Sequence, residues 1–566
     1  MAVMTKEASR TGISGKSCMK EVPPKQLLTI EEAVDLIVDR LSVKLILNFL
    51  AVCCTILNTG AATYVTIFTG YIPYNDWKCL SKNCSDLLAS ADAPETFYNF
   101  NSMCKNDLVA GIDFEWTSKK HTFSIDWGFY CKSEAKLSLV SSIIFIGSLV
   151  GLLFSTCLFD WIGRKRGAIF GSLLTLLSLA ASAVSTSYPV LILLRAVSGF
   201  GLIVNYTGSY CWIVELAPTF LRNPISGFFT LGWTAGTFIL IGMSYFINQW
   251  HQIYLACAIL NVLGIIPFFL LPLPVSPRFS LIKGKKEEAM KTLQVLAQLS
   301  GSGASLDTID LVYEERNQSY LKQIKDFKPN IHPTMLKETL LGMVVWFMVS
   351  LISYSYQFGW SKIGNDLHSI YFFAAFGDGV AYSTSVLGCK LLGRKKATFF
   401  YFGVVIVMNL LAMLDVRFTA TWSLEHLVSI IGNIATSSAF VMMYLYTGEL
   451  APTSHRGMIL CLSSSCARIG SFVGPYVNLL YGLTDRRVPL ALFAGLSLLA
   501  CVAVWFLPDT TGRSVPETPG DVEKYSEKNK EEEEEGGKRD EEKAGIVFAN
   551  GLNGLNGHVV YDDRSV

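Results

Sequence analysis

Charge is scarce in this sequence. Of its 566 residues only 16% are Asp, Glu, Lys or Arg, and 51% are hydrophobic. Soluble domains carry roughly 25% charged residues, so a large soluble core is excluded and a chain that crosses a membrane many times is expected. The 47 basic and 46 acidic residues nearly cancel, which leaves no basic excess to attract nucleic acid. No phosphate-binding glycine loop occurs, so nothing points to ATP-driven pumping. No nucleophile–base pair, cofactor motif or metal-ligand cluster stands out, so neither an enzyme nor a metal site is expected. A cleavable leader is not evident either, because Met1 to Arg40 is polar and mixed in charge, and the first apolar run is expected to direct insertion.

What the chain does have is long apolar runs joined by short basic turns. Leu137 to Phe159 and Ala168 to Val184 flank Asp160 to Gly167, which reads DWIGRKRG. Each run is close to the roughly 20 residues that cross a bilayer as a helix, so the pair reads as an antiparallel hairpin. Arg164, Lys165 and Arg166 put its turn in the cytoplasm, because positive charge beside helix ends sets orientation. The turn recurs as LLGRKKA at Leu391 to Ala397, with Gly393 lying 230 residues after Gly163. ELAPT recurs at Glu215 to Thr219 and at Glu449 to Thr453, and Arg222 maps onto Arg456 at the same offset. The chain is two related halves.

The fold class that follows is an all-α membrane protein with twelve spans in two repeated six-helix halves. Residues 1–42 form a cytoplasmic N-terminal segment, in which Thr29 to Glu32 has capping-box spacing. Ile30, Ala33, Val34, Ile37 and Leu41 share one face there, which reads as a short surface helix. The first half, 43–272, places spans near 43–70, 137–159, 168–187, 190–212, 226–247 and 252–272. A Lys- and Glu-rich cytoplasmic linker, 273–335, has a helical patch from Lys285 to Leu299. The second half, 336–507, places spans near 336–359, 367–389, 397–414, 427–447, 457–481 and 489–507. The tail 508–566 is cytoplasmic and acidic, with EEEEE at Glu531 to Glu535, and reads as solvated and disordered.

Between the first two spans lies Tyr71 to Lys136, a polar segment of 66 residues with seven Lys, nine acidic residues and no Arg. The lack of Arg agrees with an extracellular loop. Its four cysteines, Cys79, Cys84, Cys104 and Cys131, form an even set in an oxidising compartment, so two disulfides with open connectivity are expected. Asn83-Cys84-Ser85 is a glycosylation sequon in the same loop.

Several further stretches carry a resemblance. They are the Cys-bearing first loop, SPRFSLIKGKKEEA at Ser276 to Ala289, YTGELAPTSHRG at Tyr446 to Gly457 and LPDTTGRSVPETPGD at Leu507 to Asp521. With the repeated GRK turns they resemble the major facilitator superfamily, and within it the organic cation, anion and zwitterion transporter family of solute carriers. The resemblance runs from about Val43 to Asp521. Sugar porters share the turns but lack the long loop, and their seventh-span glutamine motif is replaced here by SYSYQFG at Ser353 to Gly359. Thr156 and Trp161 depart from the family's Gly and Arg in the first turn, and Lys390 stands where the second copy would hold Asp. The resemblance implies alternating access between two rocking halves and a plasma-membrane location, with both termini cytoplasmic.

Charge at membrane depth marks the candidate site, since it is costly and is a functional hypothesis by default. Asp378 lies at the centre of the eighth span and Arg468 near the centre of the eleventh. Two readings stay open: both face a central cavity and read substrate charge, or they form a fixed ion pair. The resemblance implies an anion or zwitterion carrier, because Ala467 to Ser471 matches the ARxGS-like stretch of anion- and carnitine-type members. Cation-type members tend to carry Asp at the Arg position, and Tyr382 stands where anion-type members often have a basic residue. Tyr354, Trp233 and Tyr382 are the candidate aromatic walls, suited to apolar and cationic groups.

Asp160, Arg164, Glu215, Arg222, Glu449 and Arg456 cluster by topology at the cytoplasmic face and are expected to act as a gate. Arg195 opens RAVSGFG in the fourth span, whose glycines permit close helix approach. The function expected is a secondary-active or facilitative carrier of small organic ions. Its partners would be the substrate, the lipid bilayer and, depending on a driving force left open, a coupling ion or exchanged anion. The alternatives are an organic cation carrier using Asp378 alone, and a receptor-like membrane protein acting through the first loop.

Overall fold

A computed structural model describes residues 26–38, 42–73, 76–79, 114–130, 133–302, 309–311, 333–359, 367–414, 424–452, 455–512, 516, 520 and 522. Twelve long helices carry these residues. The first half holds α1 (Val43–Thr69), α2 (Glu134–Ile162), α3 (Arg164–Ala183), α4 (Tyr188–Leu216), α5 (Thr219–Phe246) and α6 (Trp250–Leu270). The second holds α7 (Pro333–Gly359), α8 (Leu367–Leu392), α9 (Arg394–Ala412), α10 (Leu424–Leu450), α11 (Arg456–Val477) and α12 (Arg487–Trp505). Eleven are long and apolar enough to cross a membrane. The other, α8, has the length, but Asp378 and the polar run Tyr382 to Ser385 dilute its centre.

The expected basic turns contract to one glycine each. Gly163 at φ 88° separates α2 from α3, and Gly393 at φ 79° separates α8 from α9. Positive φ favours glycine at both positions, and a Cβ on Gly163 would stand only 3.1 Å from the Phe279 ring. Asp160 and Arg164 therefore sit on helix ends, not in a loop. Inside the first half, a Cβ on Gly199 would meet the Ile144 carbonyl at 1.9 Å, and one on Gly147 would meet that of Ala196 at 1.8 Å. These glycines bring α2 and α4 into backbone contact, the packing that small residues permit in membranes.

On the basic-turn face the N-terminal segment is docked rather than lying as a bare surface helix. Thr29 and Glu32 form the capping box of helix Ile30–Ile37, and the Thr29 hydrogen bonds hold the Glu32 pKa below its usual value. Ala33, Val34, Ile37 and Val38 bury against Ala289, Leu293 and Leu296 of helix Lys286–Ser300. Strand Gln26–Leu28 pairs in parallel with Ile309–Leu311. Asp35 then caps α5: its carboxylate accepts from the Thr219 amide at 2.7 Å and from the Thr219 hydroxyl at 2.8 Å. Replacing such a cap by Ala costs about 1 kcal/mol. Asp35→Ala should therefore lower the thermal unfolding midpoint of the purified protein, and an unchanged midpoint would remove the cap.

On the opposite face, residues 114–130 seal the first half. Strand Phe114–Trp116 pairs antiparallel with Trp77–Cys79. Thr122 and Ser124 donate to the Tyr71 and Gly70 carbonyls at 2.9 and 2.8 Å. The Trp250 indole donates to Asp126 at 2.7 Å. The Lys120 ammonium reaches the carbonyls of Ser244, Tyr245 and Ile247 at the end of α5, where a cation meets the negative end of the helix dipole. Partial burial lowers the Lys120 pKa. Cys84, Cys104, Cys131 and the Asn83 sequon lie outside the described residues, as does the Cys79 side chain.

The halves meet on this same face through aromatic rings. Phe68 of α1 faces His368 and Tyr371 of α8 at 5.5 and 5.3 Å, and Phe238 of α5 faces Phe372 at 5.3 Å. Deeper in, Phe145 of α2 lies 4.5 Å from Tyr354 of α7.

Candidate functional site

Asp378 is held from two neighbouring helices. Gln357 of α7 donates to one carboxylate oxygen at 2.8 Å. Ser437 and Asn433 of α10 donate to the other at 2.7 and 3.2 Å. The Gln357 amide is steadied in turn by the Asn433 oxygen at 3.3 Å, and Tyr371 donates to the Gln357 carbonyl. Three donors are what a carboxylate at membrane depth needs, because an unsatisfied one there is costly. The sequence reading missed these partners. Their only signal was polarity at mid-span, in SYSYQFG and in Gly432 to Ser438.

Arg468 is half-buried, its Nε has no hydrogen-bond partner, and no carboxylate among the described residues pairs with it. Of the two open readings, the fixed Arg468–Asp378 ion pair is absent from this structure. Arg468 instead lies beside the Tyr354 side chain of α7, which also lies within electrostatic reach of Asp378. Tyr206 of α4, across the seam between halves, lies within electrostatic reach of Arg468.

The other aromatic candidates surround this region. Trp233 of α5 meets Tyr64 of α1 edge-on at 6.0 Å. Tyr64 also packs on Phe358 at 5.9 Å and lies in the neighbourhood of Tyr354 and Asp378. The Tyr382 ring stands about 3.0 Å from where a Gly227 Cβ on α5 would be, and Tyr210 of α4 shares a hydrogen bond with Ser226 of α5 at 3.0 Å. The structure thus collects Tyr64 and Tyr206, which the sequence reading did not name, with the expected Tyr354, Trp233 and Tyr382. The result is a tyrosine-rich wall that carries one guanidinium with no ionic partner among the described residues.

The basic-turn face carries two matching clamps. In the first half, Arg164 donates to Glu215 at 3.2 Å and lies 3.9 Å from Asp160, with its guanidinium over Phe279 at 5.7 Å. In the second, Arg394 binds Glu449 through Nε at 3.0 and 3.1 Å and through Nη2 at 2.9 Å. Thr510 adds a bond to Glu449 at 2.7 Å. Each clamp joins helices of one half, α3 to α4 or α9 to α10, and does not cross between halves. Two expected members sit elsewhere. Arg222 pairs with Glu31 of the N-terminal helix at 3.6 Å, and Arg456 senses Glu449 while its Nε and one Nη are buried without hydrogen bonds. Arg394, the true partner of Glu449, was legible as the counterpart of Arg164 and was not picked out.

Arg195 is fully buried and donates to the Ala62 and Thr63 carbonyls of α1 at 2.7 and 3.2 Å. It ties α4 to α1, and no carboxylate among the described residues pairs with it. No group of His, Cys, Asp and Glu among the described residues is arranged to hold a metal ion.

The family described as sugar (and other) transporter matches residues 90–363, and the major facilitator superfamily matches residues 338–539. Organic anion transporter 3 of Sus scrofa is 30% identical over 421 residues, spanning 72% of this chain and 75% of that protein. Organic anion transporter 3 of Homo sapiens is 28% identical, spanning 75% of this chain and 80% of that protein. Solute carrier family 22 member 2 of Mus musculus is 25% identical over 84% of both. Among solved structures, the inward open conformation of the xylose transporter XylE from E. coli superposes with a TM-score of 0.56 at 15% identity, covering 85% of this chain and 99% of that one.

Proposed function

The chain belongs to solute carrier family 22 of the major facilitator superfamily, and from that premise we propose that it carries small organic anions across the plasma membrane by alternating access. The observation that carries the anionic preference is Arg468, a guanidinium without an ionic partner among the described residues, set among tyrosines. A carboxylate arriving there gains two parallel charge-assisted hydrogen bonds, and its apolar body gains the aromatic wall. Asp378 already accepts from Gln357, Asn433 and Ser437, so a cation reaching it would compete with three bonds in place. The relatives named for organic anions support the same preference.

The aromatic contacts on the face away from the basic turns belong to the form closed on that side. Opening it requires Phe68, Tyr371 and His368 to part. The two clamps keep each half rigid while the halves rock, so they serve the gate by stiffening its moving parts. We place the basic turns and both termini in the cytoplasm, and the 66-residue loop, with its four cysteines and the Asn83 sequon, outside.

Uptake by cells expressing the chain tests the reading. Three labelled compounds sharing one aryl body should be compared, ending in a carboxylate, an amino acid or a quaternary ammonium. The carboxylate should enter fastest and the ammonium at background. Preferred entry of the ammonium would overturn the anionic assignment, and no entry of any compound would favour the receptor-like alternative.

A further inference from the structure

α12 carries one exposed apolar stripe, in which Val488, Leu492, Leu498, Leu499 and Val502 follow one another at helical spacing. On a helix that crosses a membrane, such a face meets lipid tails, which are as apolar as leucine. The stripe ends on the basic-turn side in two rings, Trp505 at 67% and Phe506 at 57% exposed. The chain then turns inward: Leu507 is buried, and the Pro508 carbonyl accepts from the Tyr446 hydroxyl at 2.7 Å. Both rings therefore stay on the perimeter, where aromatic residues meet lipid headgroups.

A lysine stands over each ring. The Lys337 ammonium of α7 lies 5.8 Å from the Phe506 centroid, and the Lys395 ammonium of α9 lies 5.9 Å from the Trp505 centroid. Phe399 of α9 braces Trp505 edge-on at 6.0 Å. α12 thus ends beside two cations, one from each of two neighbouring helices. Positive charge near a span end is ordinary, but this placement is not imposed by the repeat. Lys165, which precedes Lys395 by the same 230 residues that separate the turn glycines, points into the protein. It donates to the Leu273 carbonyl at 3.0 Å and lies 5.0 Å from the buried Trp212 ring. Only in the second half does the turn lysine stand against a ring on the perimeter.

We propose that this rim of α7, α9 and α12 binds an anionic phospholipid, its headgroup shared by Lys337 and Lys395 and its acyl chains along the α12 stripe. The rings hold the two ammonium groups by cation–π attraction, so less side-chain freedom remains to be lost when a phosphate arrives. Two lysines at a charged lipid surface should enrich such a lipid on the order of tenfold over a neutral one. The stripe is what marks a lipid rather than free phosphate as the occupant, since free phosphate gains nothing from an apolar face. Binding does not depend on the transport reading. Naming the cytoplasmic leaflet as the lipid's source rests on the orientation proposed above.

The test is photolabelling of the purified full chain in phosphatidylcholine nanodiscs, with a trace of photoactivatable phosphatidylserine or photoactivatable phosphatidylcholine. Mass spectrometry reads the labelled peptides. The serine lipid should label the peptides holding Trp505 and Phe506 roughly tenfold more than the choline lipid does. Lys337→Gln combined with Lys395→Gln should make the two lipids equal. Each single change should remove part of the preference, which decides the matter if the double variant fails to fold. Lys44→Gln, at an exposed lysine near the start of α1, should change nothing. Glycerophosphoserine, a headgroup without acyl chains, should not compete. Equal labelling by both lipids, an unchanged preference in the rim variants, or an equal loss in Lys44→Gln would overturn the proposal. Full competition by glycerophosphoserine would make this a site for free phosphate esters and overturn it too. So would a preference that emerges only when Glu531 to Glu535 are replaced by Gln, which would give the rim to the acidic tail.

Discussion

Arg468→Ala is expected to cut uptake of an organic monoanion by roughly 10–100-fold, the value of a charge-assisted hydrogen bond at about 1.5–3 kcal/mol. Surface expression should persist. Arg468 holds no ionic partner among the described residues and its Nε bonds nothing, so its removal strands no other charge. Asp378 keeps Gln357, Asn433 and Ser437 as donors in the variant. Arg468→Lys should recover only part of the rate, since an ammonium cannot grip both carboxylate oxygens in parallel. A neutral amide of the same substrate should be far less affected. Adding Asp378→Ala to Arg468→Ala should rescue nothing. If instead the single variant fails to fold and the double one restores both expression and uptake, the two residues depend on each other and the binding role is lost.

The second large effect concerns the clamps, and the prediction is an asymmetry. Glu449→Gln should destabilise the protein by roughly 2–3 kcal/mol, between the limits for surface and buried ion pairs. Glu215→Gln should cost about half as much. Glu449 receives three bonds from Arg394 and one from Thr510. Glu215 receives one from Arg164, and its second oxygen is buried without a partner. Thermal midpoints of the two variants, measured side by side, decide it. Equal losses, or a larger loss at Glu215, would mean that the bond geometry does not govern the stability of these faces.

The repeat made much of this architecture legible. GRK turns and ELAPT stretches in register imply two halves with matching helix ends, and the structure has them at Gly163 and Gly393. Asp378 and Arg468 stood out because charge inside an apolar span is expensive. What could not be read was partnership. Gln357, Asn433 and Ser437 come from two helices far apart in sequence, and only the packing of α7, α8 and α10 brings them together. Arg456 looked like the clamp residue because it follows the repeated motif, yet geometry gives Glu449 to Arg394. The N-terminal helix showed its apolar face in sequence but not what covers it, since the linker helix lies some 250 residues away. The turn glycines looked like loops because basic residues flank them, although the helices run up to a single hinge residue.

Equilibrium binding to the purified protein tests the central claim most directly. A labelled aromatic carboxylate and its neutral amide would be compared on the natural chain and on Arg468→Ala. The natural chain should prefer the carboxylate at least tenfold, and the variant should bind the two nearly alike. A preference that survives unchanged in Arg468→Ala would contradict the assignment of Arg468 as the residue that reads substrate charge.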